Sequence, residues 1–355
     1  MINIVSPINQ LGYGVTGLNI VKSLAEVTDV SLWVIGQPSV TNETDAQIIS
    51  KCIKNAQYTV FNAPCIKIWH QHDMTQFAGT GQRIGFPIFE LDKFNALEKH
   101  HLSSLDKIFV CSQWAKNIVA NNIKINPDNI YVINLGVDRS IFKTSTMPEC
   151  NTTRFFNCGK WEIRKGHDVL VEIFNEAFNP EDDVELILMC DNPFCTKEEK
   201  SNWENLYLKS RLGNKITIIP RQNTQQEVYS VMSQTHCGIF PSRAEGWNLE
   251  LLEMMACGKH VIATNYAAHT EFCTNYNSML VDINDEQPAV DNKWFFGQGN
   301  WARISDKQKE QFINYMREIH QKRKSGNLKL NSDGVQTAEN LNWSNSAKQI
   351  LKSVA

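Results

Sequence analysis

Two carboxylates eight residues apart, Glu245 and Glu253, are the side chains of this 355-residue sequence best placed to do binding chemistry. Residues 237–271 read CGIFPSRAEGWNLELLEMMACGKHVIATNYAAHTE: an apolar strand over 237–240, a polar loop over 241–248, a helix ending at Gly258, and a second strand over 260–264. A free helix N-terminus therefore follows the carboxyl end of the first strand. At about 100° per residue from Leu249, Leu252 and Ala256 share one face, and Glu253 lies between them at about 40°. A carboxylate inside an apolar stripe is costly unless something hydrogen-bonds to it. A neighbouring Lys or Arg would serve for Glu253 alone, but Glu245, in the loop facing the same helix end, makes two. Upstream, Lys160, Arg164 and Lys165 put three cations into six residues between a strand (154–158) and a helix (167–178). That layout suits an anion, although composition fits a solvated basic turn equally well.

The order of these residues resembles the family 4 retaining glycosyltransferases of the GT-B fold, whose signature is E-G-F-G-L-x-x-x-E-A-M-A-x-G. It stands here as Glu245-Gly246-Trp247-Asn248-Leu249, then Glu253-Met254-Met255-Ala256-Cys257-Gly258. The family's P-V-I-A-T appears as residues 260–264, its later Glu as Glu271, and its G-V-D-x-x-x-F as Gly136-Val137-Asp138 with Phe142. Its G-R-x-x-x-x-K-G matches residues 159–166, with Lys165 at the Lys position and Lys160 where the family has Arg. Lys for Arg exchanges a bidentate fork for a point charge, which makes Arg164 a substitute candidate. Trp247 and Asn248 replace the family's Phe and Gly. A side chain at Asn248 crowds the backbone N–H groups meant for phosphate, unless it caps the helix.

The resemblance implies roles. Glu253 would accept hydrogen bonds from the donor ribose and Glu245 from the donor sugar, work suited to ionised, acceptor-only carboxylates. Lys165, with Lys160 or Arg164, and the helix N-terminus at Asn248-Leu249-Glu250 would stabilise the departing diphosphate, with Gly246 and Trp247 lining the same loop. Near the start, Gly12-Tyr13-Gly14-Val15-Thr16-Gly17 matches the dinucleotide fingerprint G-x-G-x-x-G formally. Five residues part it from its strand, however, and the acidic ribose ligand is absent after the second strand, at Ile35-Gly36-Gln37. Through the resemblance, Gly12, Gly14 and Gly17 become a glycine loop near the diphosphate and sugar, ahead of a helix over 16–27. His72, with His70 second, stands at the end of a strand over 65–69 and would lie near the donor sugar and acceptor. The pair has no third ligand for a metal.

The elements that must position these groups alternate strand and helix. The resemblance implies the rest of the architecture: α/β, with two Rossmann-like, doubly wound domains facing each other across a cleft. Residues 1–143 form the acceptor domain, residues 154–340 the donor domain, and a closing helix at 343–355 returns to the first. Residues 144–153 read as a linker, 191–212 as an insertion with a helix over 197–208, and 284–302 as irregular. Hydrophobic content of 42% and charged content of 21% are those of a globular protein. Residues 1–10 read as a strand rather than a signal peptide, no span is apolar enough for stable membrane insertion, and ten cysteines lack metal or disulfide spacing; the expected compartment is the cytoplasm.

The function expected is transfer of a sugar, with retained configuration, from a nucleotide diphosphate to a hydroxyl, without metal or other cofactor. A UDP-sugar is the first guess. Competing readings are a catalytically weak or inactive nucleotide-sugar-binding protein, an epimerase or phosphorylase of the same fold, and a nicotinamide-dependent dehydrogenase. The acceptor is expected to be a saccharide or small molecule. A lipid would want a basic amphipathic helix, and a modified DNA base a basic stretch; with net charge −3, and 12 Lys/Arg against 11 Asp/Glu over residues 1–143, neither is evident.

Overall fold

The computed structural model describes residues 1–58 and 60–354, which divide into two units. The first comprises Met1–Asp138 and Asn340–Ala355. Its elements are β1 (Ile2–Ser6), α1 (Gly12–Ala25), β2 (Val30–Val34), α2 (Glu43–Asn55), β3 (Cys65–Lys67), β4 (Arg83–Gly85), α3 (Ala96–Ser103), β5 (Lys107–Val110), α4 (Gln113–Asn122) and β6 (Ile130–Val132). The sheet order is β2-β1-β3-β4-β5-β6, parallel throughout. All five residues of β1 are buried, as expected of a parallel strand covered on both faces. The chain winds one way from β1 and the other way from β3, so their carboxyl ends flank a topological switch point.

The glycine triplet does not form a loop. Gly12 opens α1, and Gly14 and Gly17 lie within it. A Cβ on Gly14 would sit 2.2 Å from Asn9 Oδ1, and one on Gly17 would sit 2.1 Å from Ser6 Oγ. The glycines let the helix press onto the chain leaving β1; the connecting loop is residues 7–11. Ser112 is the N-cap of α4, its hydroxyl accepting from the Ala115 N–H at 3.1 Å.

The second unit, Arg139–Glu339, contains β7 (Thr153–Gly159), α5 (His167–Ala177), β8 (Val184–Cys190), α6 (Lys197–Leu208), β9 (Ile216–Ile218), α7 (Gln225–Ser233), β10 (Cys237–Phe240), α8 (Leu249–Ala256), β11 (His260–Asn265), α9 (His269–Phe272), β12 (Met279–Asp282), β13 (Glu286–Val290), β14 (Phe296–Ala302) and α10 (Asp306–Lys324). Its main sheet is parallel in the order β12-β11-β10-β7-β8-β9, the doubly wound order with its switch point between β7 and β10. Phe155, Leu186, Ile239 and Ile262 of the sheet share one buried core with Leu170 and Phe174 of α5 and with Phe312 and Met316 of α10. Gly166 caps α5 at φ +78°, and a Cβ there would lie 2.0 Å from the Pro241 carbonyl. Only glycine lets the β7–α5 loop lie this close to the β10–α8 loop.

Residues 284–302 are not irregular: β13 and β14 pair as an antiparallel hairpin with a register shift at Pro288/Val290. Asp291 Oδ1 fixes its turn by accepting the N–H groups of Lys293, Trp294 and Phe295 at 2.8–2.9 Å. The insertion helix spans Lys197–Leu208 as expected. Two helices close the chain, α11 (Ser332–Asn340) and α12 (Trp343–Val354). α12 packs on α1, and Ser346 Oγ donates to the Asn134 carbonyl at 2.6 Å. Ala355, the last residue of the expected closing helix, lies outside the described residues. Among the described residues no helix is long and apolar enough to cross a membrane, and the ten cysteines are free thiols.

Candidate active site

The loops leaving β7 and β10 meet at the switch point of the second unit, and their ionic groups form one buried cluster. Glu245, 4% exposed, is its hub. Lys165 Nζ lies 2.9 Å from Oε1, which also accepts from Ser242 Oγ at 2.8 Å. Arg164 Nη1 donates to Oε2 at 3.0 Å and to the Ala244 carbonyl at 2.8 Å. Burial pushes the Glu245 carboxyl up, but the Lys165 ammonium and the Arg164 guanidinium more than offset this and hold it at about 2. Burial alone would lower Lys165; Glu245 and Glu250, the latter 4.0 Å away, reverse the shift and keep the amine charged.

Arg164 and Lys165 divide the work. The Arg164 guanidinium is buried and joins two carboxylates, bonding Glu162 Oε2 through Nη2 at 2.8 Å and Nε at 3.1 Å as well as Glu245. Lys165 reaches along Glu245 toward the first turn of α8. Lys160 is more open: its amine lies 3.9 Å from Glu162 Oε1 and 5.4 Å from the centre of the Phe194 ring. Arg243 ties the loop over 241–248 to the start of α5 with a fork onto Asp168 at 2.7 and 2.8 Å.

The helix α8 runs from this cluster. Asn248 adopts φ +84°, ψ +78° and caps it, with Oδ1 accepting from the Leu251 N–H at 3.2 Å. Among the described residues the N–H groups of Leu249 and Glu250 have no hydrogen-bond acceptor. Their positive end faces Lys165 and the carboxyl end of β7, a ready site for an anion. One turn on, Glu253 is 8% exposed, and its carboxylate has no hydrogen bond or ion pair among the described residues. Burial, with some repulsion from Glu250, raises its pKa well above the usual carboxylate range. Trp247 is buried against Phe272 at 4.8 Å between ring centres, its indole N–H without a partner among the described residues. Gly246 is buried beside it.

In the first unit, the switch point between β1 and β3 carries an aromatic cluster. Tyr13 of α1 lies 4.7 Å from His70 and 5.6 Å from Trp69, and His70 stacks on His72 at 5.1 Å and 15°. The fold thus brings the start of α1 beside the histidines. Asp73, the sequence neighbour of His72, turns instead to the buried Lys67 amine at 3.3 Å and the Thr75 hydroxyl at 3.1 Å. His72 is exposed and His70 half-buried.

Some participants were not legible in the sequence. Glu162 and Ser242 are two and three residues from the groups they hold, a spacing with no distinctive signature. His269 reaches Asn248 from 21 residues away, Nδ2 to Nε2 at 2.9 Å, and nothing local marks it.

Residues 152–292 match the family model described as Glycosyl transferases group 1. An uncharacterized glycosyltransferase of Methanocaldococcus jannaschii, MJ1178, is 29% identical over 188 residues, 53% of this chain and 48% of that protein. The chain spans about half the length of the curated relatives it matches. Among solved structures, sucrose-phosphate synthase from Thermosynechococcus elongatus is 15% identical with a TM-score of 0.71, covering 99% of this chain and 97% of its own. Anabaena Alr3699/HepE in complex with UDP-glucose is 14% identical with a TM-score of 0.70, covering 99% and 98%.

Proposed function

We propose that this chain, whose residues 152–292 match the group 1 glycosyl transferase model and whose fold resembles GT-B structures, transfers a sugar from a nucleotide diphosphate to a hydroxyl acceptor with retention of configuration. One observation carries the reading: along a single eight-residue helix, α8, the first-turn N–H groups of Leu249 and Glu250 have no acceptor among the described residues, and one turn later a buried carboxylate has no partner among them either. A diphosphate followed by a ribose has that order of charge and hydroxyls. The leaving group needs positive charge in the transition state. Lys165, Lys160 and the N–H groups of Leu249 and Glu250 supply it, so the reading requires no metal or other cofactor. Glu245, held ionised, accepts from sugar hydroxyls, and Glu253 accepts from the ribose. No carboxylate acts as nucleophile; the leaving phosphate helps take the acceptor proton.

His70 and His72 are the first unit's candidates for the donor sugar and acceptor, and Gly12, Gly14 and Gly17 bring the start of α1 close beside them. A UDP-sugar is the donor we favour; the UDP-glucose held by the Anabaena structure supports that choice by fold alone. A saccharide or small molecule is the acceptor class we favour, and ten free thiols fit a reducing compartment such as the cytoplasm.

The test is calorimetric titration of UDP, GDP and ADP into wild-type protein and Glu253→Gln. One nucleotide should bind wild type, and the variant should weaken it by about 10–100-fold, the cost of leaving a buried ribose hydroxyl without its acceptor. The same variant should unfold later without ligand at neutral pH. A carboxyl whose folded pKa is raised is stabilising below its unfolded pKa and loses that stability as pH rises, a loss that glutamine does not suffer. Equal nucleotide affinity in both proteins would remove Glu253 from the site.

A further inference from the structure

We infer that His269 is a positioning residue for the proposed donor site: it latches Asn248 into the backbone conformation that keeps the first turn of α8 open. The inference rests on the function proposed above, and nothing in the sequence pattern points to it. Asn248 stands where the resembling motif has glycine, at φ +84° and ψ +78°, a region that a residue with a side chain occupies at a cost of about 1–3 kcal/mol. Something must hold it there.

The hydrogen-bond directions identify the holder. His269 is buried, and its Nδ1 lies 2.9 Å from the Thr264 carbonyl oxygen. A carbonyl only accepts, so Nδ1 carries the ring proton and Nε2 presents its lone pair. The Asn248 amide nitrogen donates to that lone pair at 2.9 Å, which turns Oδ1 toward the Leu251 N–H at 3.2 Å. A single polarity thus runs from Thr264 through His269 and Asn248 into α8. The two ends of the latch are themselves fixed. Thr264 Oγ1 donates to the Ser242 carbonyl at 2.7 Å, and the Ala268 N–H donates to the Glu245 carbonyl at 3.2 Å.

The consequence lies in which donors the cap consumes. Asn248 Oδ1 takes the Leu251 N–H and leaves those of Leu249 and Glu250 without an acceptor among the described residues. Freed from His269, the Asn248 side chain could relax the strained backbone and swing across the first turn. His269 does not touch the donor in this account; it acts through Asn248.

A double-mutant cycle tests this, with Kd for UDP, GDP and ADP as the readout. His269→Ala in the natural background should weaken the nucleotide that binds by about tenfold, the scale of one lost buried hydrogen bond and its orphaned partner. In an Asn248→Gly background, where no side chain needs holding, the same change should weaken binding by less than threefold relative to Asn248→Gly alone. Equal penalties in the two backgrounds would overturn the latch and leave His269 as ordinary packing. His269→Gln, run through the same cycle, replaces the alanine variant if that protein fails to fold. If wild-type protein binds none of the three nucleotides, the functional reading falls and the inference with it; binding with additive penalties removes the inference alone.

Discussion

Replacing Lys165 by alanine is expected to lower kcat/KM for the sugar-nucleotide donor by about 10²–10³-fold, the loss typical of removing one preorganised stabiliser of developing charge. Lys165 is the cation best placed for that role. Its amine is held charged by Glu245 at 2.9 Å and points at the end of α8 where two N–H groups stand open. The fold should tolerate the change, because Glu245 keeps Arg164 and Ser242 as partners. Steady-state kinetics checks the first half; a cooperative urea transition, its midpoint lowered by the lost Glu245 pair but the protein still folded, checks the second. Lys165→Arg should recover little, since a planar fork does not fit where one amine bridges Glu245 and the helix end. Activity within a few-fold of wild type would place the leaving group elsewhere.

Arg164, next in sequence, should behave in the opposite way. Its guanidinium bridges Glu162 and Glu245, both buried, so Arg164→Ala strips a partner from each. Breaking a buried ion pair from one side costs about 3–5 kcal/mol, because the charge left behind is neither solvated nor paired. The measurement is urea unfolding of the ligand-free protein, where the midpoint should fall at little change in slope. The stability held in this network also has a pH signature. The Glu245 pKa is lowered to about 2, so its contribution is present above the ordinary carboxylate range and is lost as pH falls from about 5 toward 2. In Arg164→Ala that acid loss should begin at higher pH. A variant as stable as wild type would make the cluster a surface pairing rather than a structural one.

The two neighbouring cations show how far the sequence could be read. Residues 159–166 and 245–258 suggested an anion site through the family resemblance that their order carries, where composition alone fitted a solvated basic turn equally well. The order could not say which cation would serve a ligand, since that depends on Glu162, two residues before Arg164, whose carboxylate engages the buried guanidinium. The alternation of strands and helices was readable in the sequence, the doubly wound architecture came with the family resemblance, and α6 and α12 fall where the sequence placed them. The glycines at 12, 14 and 17 misled because glycine usually marks a loop. Here it marks close approach of α1 to the chain leaving β1, which is a tertiary requirement. The hairpin of β13 and β14 was hidden by Pro288 and by Gly297 and Gly299 at φ +90° and +73°, which ordinarily end strands. Its pairing is anchored instead by the buried Trp301 and the Asp291 turn.

Asn248 shows the same limit in one residue. The sequence posed a choice between crowding the phosphate approach and capping the helix. The cap forms because His269, supplied by a different strand-to-helix connection, orients the amide.

The central claim is that the cluster at the end of β7 and β10 activates a sugar nucleotide for transfer with retention. Incubation with UDP-, GDP- and ADP-sugars and a panel of saccharide acceptors, followed by proton NMR of the product's anomeric signal, tests it most directly. The account predicts release of one nucleoside diphosphate and a product with the donor's own anomeric configuration, both lost in Lys165→Ala. An inverted anomer, or turnover undiminished in that variant, would contradict it.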